Sequence, residues 1–449
     1  MLVLVCPASA DATLARLEPL GMRLTLEPFR RLLAKLGEPQ RGLPAVLVAG
    51  TNGKGSTAAL LAAIGCAAGY RTGLYTSPHL EEPRERIRVD GVALATLELD
   101  GLLDAVIDAA GDELPTPFEA LTAAALLEFA ESGVELAVLE VGLGGRLDAT
   151  NVVEPLLSVI TSIALDHQEQ LGSTLAAIAA EKAGVLRAQR PAIAWGEESE
   201  STAALRAAAE AGGATLDFGV EEAEIVMAQA DGLAGQTVVL RTAGAEHRLR
   251  VALAGRHQLR NVALAVLAAE RLAADGFDGI DDDAISRGIG GCRWPGRLEA
   301  VALPEEPTVL LDGAHNPAGA AALAEHLASL ATPFDLVFGT LADKDAASMA
   351  AALAPSARRV WLAPPDSPRA LSVAVLAALP ALAGATPASG AAEALERAFT
   401  AAVDRPPLLV VTGSLYLVGE ARRWLRERYG VPAAAADVAT WSPTYFSAN

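Results

Sequence analysis

Residues 45 to 65, AVLVAGTNGKGSTAALLAAIG, constrain this chain more than any other stretch. The apolar run Ala45 to Ala49 reads as a buried strand. The loop Gly50-Thr51-Asn52-Gly53-Lys54-Gly55-Ser56-Thr57 follows, and an Ala/Leu-rich helix is expected from about Thr57. Strand, glycine-rich loop, Lys-Ser/Thr and helix is the build of a phosphate cradle. Glycines let backbone amides converge on phosphate oxygens, and the helix N-terminus adds partial positive charge. Lys54 can reach the outer phosphates, and a hydroxyl at Ser56 or Thr57 can bind Mg²⁺. The spacing departs from the commonest form. Two residues separate Gly50 from Gly53-Lys54, and Gly55 stands between Lys54 and Ser56.

The remaining chain reads as alternating helices and strands. Residues 11 to 40 are expected to be helical, with Phe29, Leu32, Leu33 and Leu36 at helical spacing. A strand at Thr72 to Tyr75 ends in Thr76-Ser77-Pro78-His79. The charged stretch Glu81 to Asp90, with Arg84, Arg86 and Arg88, reads as a solvated loop or as a mobile loop that meets an anionic substrate. A helix near Phe118 to Ser132 precedes the strand Val134 to Val141. Glu140 lies at the end of that strand, where a carboxylate must find a cation or take up a proton. The run Leu156 to Leu165 is the next buried strand and delivers Asp166-His167-Gln168. The following helix is expected to start on Ser173 as N-cap and to end at Gly184. Lys182 sits in its last turn, where the helix dipole alone favours lysine.

Residues 191 to 255 change character. Runs such as TVVLRT and HRLRVAL read as strands of a small, antiparallel, appended sheet. From about residue 300 strands and helices alternate again, which predicts a parallel, doubly wound sheet. Its strand ends carry Asp312-Gly313-Ala314-His315-Asn316, Asp343-Lys344-Asp345 and Thr412-Gly413-Ser414, all on the edge where such sheets bind ligands. The fold class is therefore α/β. An N-terminal P-loop ATPase-like domain (1–294) carries the appended β region (about 191–255), and a C-terminal Rossmann-like α/β domain covers 295–449. Residues 431 to 449 read as a frayed tail.

Composition narrows the function classes. Acidic residues outnumber basic ones 55 to 35, a formal charge of −20 with no long basic block, so nucleic acid is a poor partner. Apolar residues make up 52 %, yet no run reaches the ~18 needed to span a membrane. The start lacks the basic region of a secretory signal. The cysteines Cys6, Cys66 and Cys292 are scattered without metal-ligand spacing, as in a reducing cytoplasm. A cytoplasmic monomer that uses ATP is expected.

The motifs GTNGKGST, TSPHL…ERIRVDG, LEVGLGGRLDATN, LDHQEQLG…EKAG, GRHQLRN, PGRLE, LDGAHNP and DKD follow one another in the order seen in the folylpolyglutamate synthase/dihydrofolate synthase family. The chain resembles that family, part of the Mur ligase superfamily, from about residue 16 to 420. The inserted Gly55 is a feature of the family. The resemblance implies ATP-dependent amide ligation: a carboxylate of dihydropteroate or of a reduced folate takes the γ-phosphate of ATP, and L-glutamate attacks the acyl phosphate. It implies that Asn52, Gly53, Lys54, Gly55, Ser56 and Thr57 hold phosphates, with Asn261 at the adenine, Arg297 at the phosphates and Asp312 at the ribose. One Mg²⁺ is implied at Ser56, Ser77 and Glu140, and a second at Glu140, His167 and Lys182. A lysine ammonium cannot ligate a metal, so the family's carbamylated lysine is implied at Lys182. His315 is implied near the reacting phosphate. Ser414 is implied at the glutamate pocket, and Phe118, Asp148 and Arg86 on the acceptor side.

Pro83-Arg84 replaces the Phe-Asn common in the family before Glu85-Arg86-Ile87, which puts acceptor contacts from that loop in doubt. Two other readings stay open at this point. One is a Mur-type ligase with a different carboxylate acceptor, and the other is a nucleotide-dependent switch without ligase activity.

Overall fold

The computed structural model describes residues 9–197, 199–304, 306–400 and 407–435. Its first sheet has eight strands. In spatial order they are Val92–Ala93, Ile87–Val89, Thr72–Tyr75, Leu136–Glu140, Ala45–Ala49, Pro155–Ile160, Pro191–Ala194 and Thr215–Phe218. The six from Thr72–Tyr75 onward run parallel. The phosphate-loop strand is central because it is apolar on both faces. Ala45, Leu47 and Ala49 enter one core with Phe129 and Leu103, while Val46 and Val48 enter the other with Leu60, Leu61 and Leu264. Fully burying a side chain such as Leu60 contributes about 1.5–3 kcal/mol. Register fixes the site edge: Val48 stands opposite Glu140, and Ala49 opposite Ile160.

Several expectations change on folding. The helix after the phosphate loop begins at Lys54, not Thr57, because Gly53 takes φ +90° and serves as its N-cap. The region 11 to 40 is two helices, Ala10–Leu17 and Glu27–Lys35, with a short 3-10 turn and an irregular loop between them. The strand expected over Leu156 to Leu165 stops at Ile160, since the Thr161 hydroxyl donates to Ala49 O and Asn52 O and turns the chain over the loop. Thr174, not Ser173, caps the helix Leu175–Lys182. Gly184 is a packing glycine rather than a helix terminator: a Cβ there would come within 2.4 Å of the Arg146 backbone.

The appended sheet is smaller than 191–255. Pro191–Ala194 and Thr215–Phe218 join the main sheet in parallel around the helix Ser199–Gly212. Only Ala223–Ala230, Gln236–Thr242 and Glu246–Val251 form the antiparallel trio. Val238 and Leu240 of this trio share a core with the helix Gln258–Ala274, and Leu249 and Val251 enter the same core from the strand that packs against the helix Asp282–Gly291.

The second sheet runs Glu299–Val301, Thr308–Asp312, Leu408–Thr412, Phe334–Phe338, Val360–Leu362 and Thr386–Pro387. All pairs are parallel except the first. Helices cover both faces, with Leu310, Leu336 and Val410 in one core and Val309, Val337 and Val411 in the other. The tail is not frayed at its start: Val431, Ala434 and Ala435 are buried. Residues 436 to 449 of that expectation, and Cys6, lie outside the described residues. Among the described residues no helix is long and apolar enough to cross a membrane.

Candidate active site

The strand Ala45–Ala49 ends at Gly50, whose φ of +140° lets the chain turn against Thr161. Gly53 is required twice over. Its left-handed φ suits glycine, and a Cβ would lie 2.3 Å from Asn261 Oδ1. Asn261 therefore caps the loop from the helix Gln258–Ala274. Its Nδ2 donates to Gln258 Oε1 at 2.7 Å, and its buried Oδ1 has no protein partner. Gly55 faces Glu140, since a Cβ there would sit 3.3 Å from Glu140 Oε2. Lys54 folds back on its own loop and donates to Thr51 O at 3.1 Å.

Glu140 is buried and accepts the Ser77 amide at 3.0 Å. Burial raises its pKa against the pull of Lys54, Arg297 and Arg86. Glu140 thus places a hard carboxylate beside Gly55 of the phosphate loop and at the start of the Ser77 loop, the donor chemistry that a Mg²⁺ ion takes. Among the described residues no cluster of three or more His, Cys, Asp or Glu could hold a metal. An ammonium at Lys182 has no lone pair for a metal, so a second metal set at Glu140, His167 and Lys182 requires the carbamate to supply an anionic ligand.

Lys182 is 4 % exposed, and its Nζ donates to Gly50 O at 2.7 Å. Burial, helped by the Lys54 ammonium, pushes its pKa down to about 7. A large neutral fraction at physiological pH is what carbamylation needs. Lys54, His167, Lys182 and His315 line one small cavity of about 40 Å³ together with Asp166. His315 Nδ1 donates to Gly313 O at 2.8 Å, because a carbonyl can only accept. Burial and the Lys344 ammonium push this imidazole down to about 4, so at neutral pH Nε2 carries no proton.

A larger cavity, of about 570 Å³, opens beside the loop. Phe118 forms one wall, tilted on Tyr75 with ring centroids 6.1 Å apart. A Cβ on Gly142 would strike the Phe118 ring at 2.5 Å and lie 3.2 Å from Asp148 Oδ2, so glycine keeps this corner open. Asp148 also organises its own loop, accepting Leu143 N at 2.9 Å and Thr150 Oγ1 at 2.6 Å. Arg86 lines the cavity and donates through Nε to His79 Nδ1 at 3.0 Å. Burial, with Arg86 and Arg423, pushes His79 down to about 3. Ser414, the N-cap of the helix Leu415–Tyr429, lines the opposite wall.

Asp312 is buried with both oxygens in backbone bonds, to Leu298 N at 2.9 Å and Ala314 N at 3.0 Å. Each oxygen keeps a second lone pair for a ligand hydroxyl. Arg297 Nη1 donates to Gly296 O at 3.2 Å and packs over Gly313.

Sequence reasoning gave Asp166 no role, yet it joins the two sheets. Lys344 Nζ reaches it at 2.7 Å, and Asn316 Nδ2 donates to it at 3.1 Å and to Asn52 Oδ1 at 2.9 Å. Burial alone would raise the Asp166 carboxyl, but Lys344 and the flanking histidines outweigh it and hold it below the usual carboxylate range. A compositional signal was available for Lys344. Only four of the 35 basic residues are lysine, and three of them, Lys54, Lys182 and Lys344, meet here. The loop Gly21 to Leu26, which lines the large cavity with the exposed Met22 and Leu24, left no such trace.

Comparisons with known proteins agree with this arrangement. Residues 48–269 match the Mur ligase middle domain, and residues 296–415 match the Mur ligase glutamate ligase domain. A probable bifunctional folylpolyglutamate synthase/dihydropteroate synthase of Halobacterium salinarum is 39 % identical over 423 residues, 90 % of this chain and 50 % of that protein. The chain thus spans about half the length of that relative. The dihydrofolate synthase/folylpolyglutamate synthase of Bacillus subtilis is 38 % identical over 360 residues, 78 % of this chain and 83 % of that one. A structure of Escherichia coli FolC in complex with DHPP and ADP matches with a TM-score of 0.84 at 33 % identity, covering 94 % of this chain and 98 % of that one. On the phosphate loop, the two sheets that meet over it and these likenesses, the chain belongs to the folylpolyglutamate synthase/dihydrofolate synthase family of the Mur ligase superfamily.

Proposed function

We propose that the chain is an ATP-dependent amide ligase that adds L-glutamate to dihydropteroate, to folate (poly)glutamates, or to both. One observation carries the reading. The phosphate loop, the buried amine of Lys182, the neutral imidazole of His315 and an aromatic-walled cavity all border one cleft between the two sheets. The names of the relatives supply the substrate class. We assign 1–294 to nucleotide and acceptor binding and 295–449 to glutamate, in a cytoplasmic monomer that takes small molecules and neither nucleic acid nor membrane.

In this reading the backbone amides from Asn52 to Thr57 and the Lys54 ammonium hold the phosphates, with Asn261, Arg297 and Asp312 around the nucleoside. Ser56, Ser77 and Glu140 would hold one Mg²⁺, and Glu140, His167 and carbamylated Lys182 a second. Bound Mg²⁺ supplies charge neutralisation at the phosphoryl oxygens. Phe118 stacks on the flat ring of the acceptor, and Arg86 with Asp148 orients it. The acceptor carboxylate attacks the γ-phosphorus and ADP leaves. The glutamate amine, held near Ser414, then attacks the acyl carbon and phosphate leaves. His315 Nε2, unprotonated at neutral pH, takes the proton from that amine. Closing the two sheets over the cleft excludes water from the acyl phosphate.

The deciding experiment mixes the protein with Mg²⁺-ATP, L-glutamate and either 7,8-dihydropteroate or a reduced folate monoglutamate, and reads ADP and product mass. A gain of one glutamyl unit on an acceptor establishes the reading for that acceptor. ATP-binding protein that glutamylates neither acceptor points to a Mur-type ligase with a different carboxylate substrate.

A further inference from the structure

The charged stretch after His79 is not a solvated loop: it folds into the 3-10 turn Pro83–Arg86 and the strand Ile87–Val89. Glu81, Glu85 and Arg88 are buried. Glu81 meets Arg422, which is fully buried in the helix Leu415–Tyr429 although it is the largest and most polar of the enclosed side chains. Arg422 Nη1 donates to Glu81 Oε1 at 2.5 Å, and Nε donates to both Glu299 oxygens at 3.1 Å. Arg426 Nη1 holds Glu81 Oε2 at 2.6 Å, and Arg423 Nη2 donates to Glu81 O at 3.2 Å. Arg422 thus bridges Glu81 and Glu299, and the partly exposed Arg426 adds a second guanidinium on Glu81.

Each partner of Arg422 leads to a site loop. Glu299 Oε2 accepts the amide of Gly296 at 2.8 Å, beside Arg297. Glu81 belongs to a tight nest in which the amides of Leu80, Glu81 and Glu82 all donate to Glu85, at 2.9, 2.9 and 2.7 Å. Arg86 follows it into the large cavity, and Ser77 precedes it on Glu140. The helix itself starts at Ser414 on the cavity wall. One turn before Arg422, Gly419 lets Leu80 O pack on the helix where a Cβ would approach to 2.0 Å. We propose that Arg422 is a positioning residue for the ligation: through Glu81 and Glu299 it locks the Ser77–Arg86 loop, the Arg297 loop and the Ser414 helix into one rigid frame around the acceptor.

The inference rests on the ligase reading. An apolar side chain could fill the same volume at little cost in stability, but it could slide. A guanidinium that grips two carboxylates fixes distance and orientation together, and small misplacements of reacting groups are expensive in rate.

The test compares Glu81→Gln and Arg422→Lys with Arg359→Met, which breaks the Asp335–Arg359 pair at the far end of the second sheet. Glu81→Gln keeps size and leaves Arg422 on Glu299, so it carries the test where Arg422→Lys fails to fold. The expected result is a KM for acceptor or glutamate raised about tenfold or more, with nucleotide affinity held within about threefold for Glu81→Gln. Hydrogen exchange at Leu80 and Glu82 should speed up by about tenfold in the same variant. Arg359→Met should lower thermal stability and leave KM and exchange in the 80–82 segment unchanged. Wild-type KM values together with wild-type exchange in Glu81→Gln overturn the proposal. If the wild type ligates neither acceptor the ligase reading falls, and exchange at Leu80 and Glu82 still decides whether Glu81 holds the loop.

Discussion

His257→Gln tests how burial sets protonation in this fold. His257 forms the turn that opens the helix Gln258–Ala274, and its buried Nδ1 has no hydrogen-bond partner. Burial, with Arg260, His326 and Arg297, pushes the imidazole from 6.5 down to about 3. Proton counting gives the sign. Below pH 6.5 the unfolded chain protonates this histidine, while the folded chain refuses the proton until about pH 3. Stability that is fully present above pH 6.5 is therefore lost as pH falls through that window, and glutamine does not share the loss. Between about pH 7.5 and about pH 5 the variant should gain at most about 2 kcal/mol on the wild type, and roughly 1–2 kcal/mol once the ring's partial contact with solvent is allowed for. Glu140, Asp148 and Asp312 have raised pKa values and act in the opposite direction, but they are common to both proteins and cancel in the difference. Urea unfolding followed by circular dichroism at each pH measures it. A difference that stays constant within about 0.5 kcal/mol across the window would refute the reasoning.

Four further outcomes are expected. Lys54→Ala should abolish phosphate release, a loss of about a thousandfold or more, and unaltered turnover would remove the phosphate-cradle assignment. Lys182→Ala should be inactive and partly rescued by a short-chain carboxylate, whereas full activity without rescue rules out the carbamate. Phe118→Ala should raise the acceptor KM about tenfold and leave the KM for ATP in place, and an unchanged acceptor KM takes the ring out of the acceptor site. Gly53→Ala places a Cβ 2.3 Å from Asn261 Oδ1 at a φ of +90°, so nucleotide affinity should fall about tenfold or more by calorimetric titration; retained affinity contradicts the loop geometry.

What the sequence determined by itself was local. Strand, glycine loop and helix at 45 to 67 were legible because buried strands, left-handed glycines and helix starts each follow from a few adjacent residues. The same holds for Thr72–Tyr75 and for Glu140 at its strand end. Even the misplaced helix start at Thr57 was a shift within one turn. The extent of the appended sheet was not legible, because Pro191–Ala194 and Thr215–Phe218 are too short to declare which sheet they join. Only the tertiary structure decided which charges meet. Lys344 lies 178 residues from Asp166 and Arg422 lies 341 residues from Glu81, yet each pair shares one buried hydrogen-bonded contact. A charged residue reads as surface from its neighbours in sequence. It becomes a buried tie only when two packed sheets remove water from it and bring its counter-charge within reach, and that pairing is a property of the assembled cores.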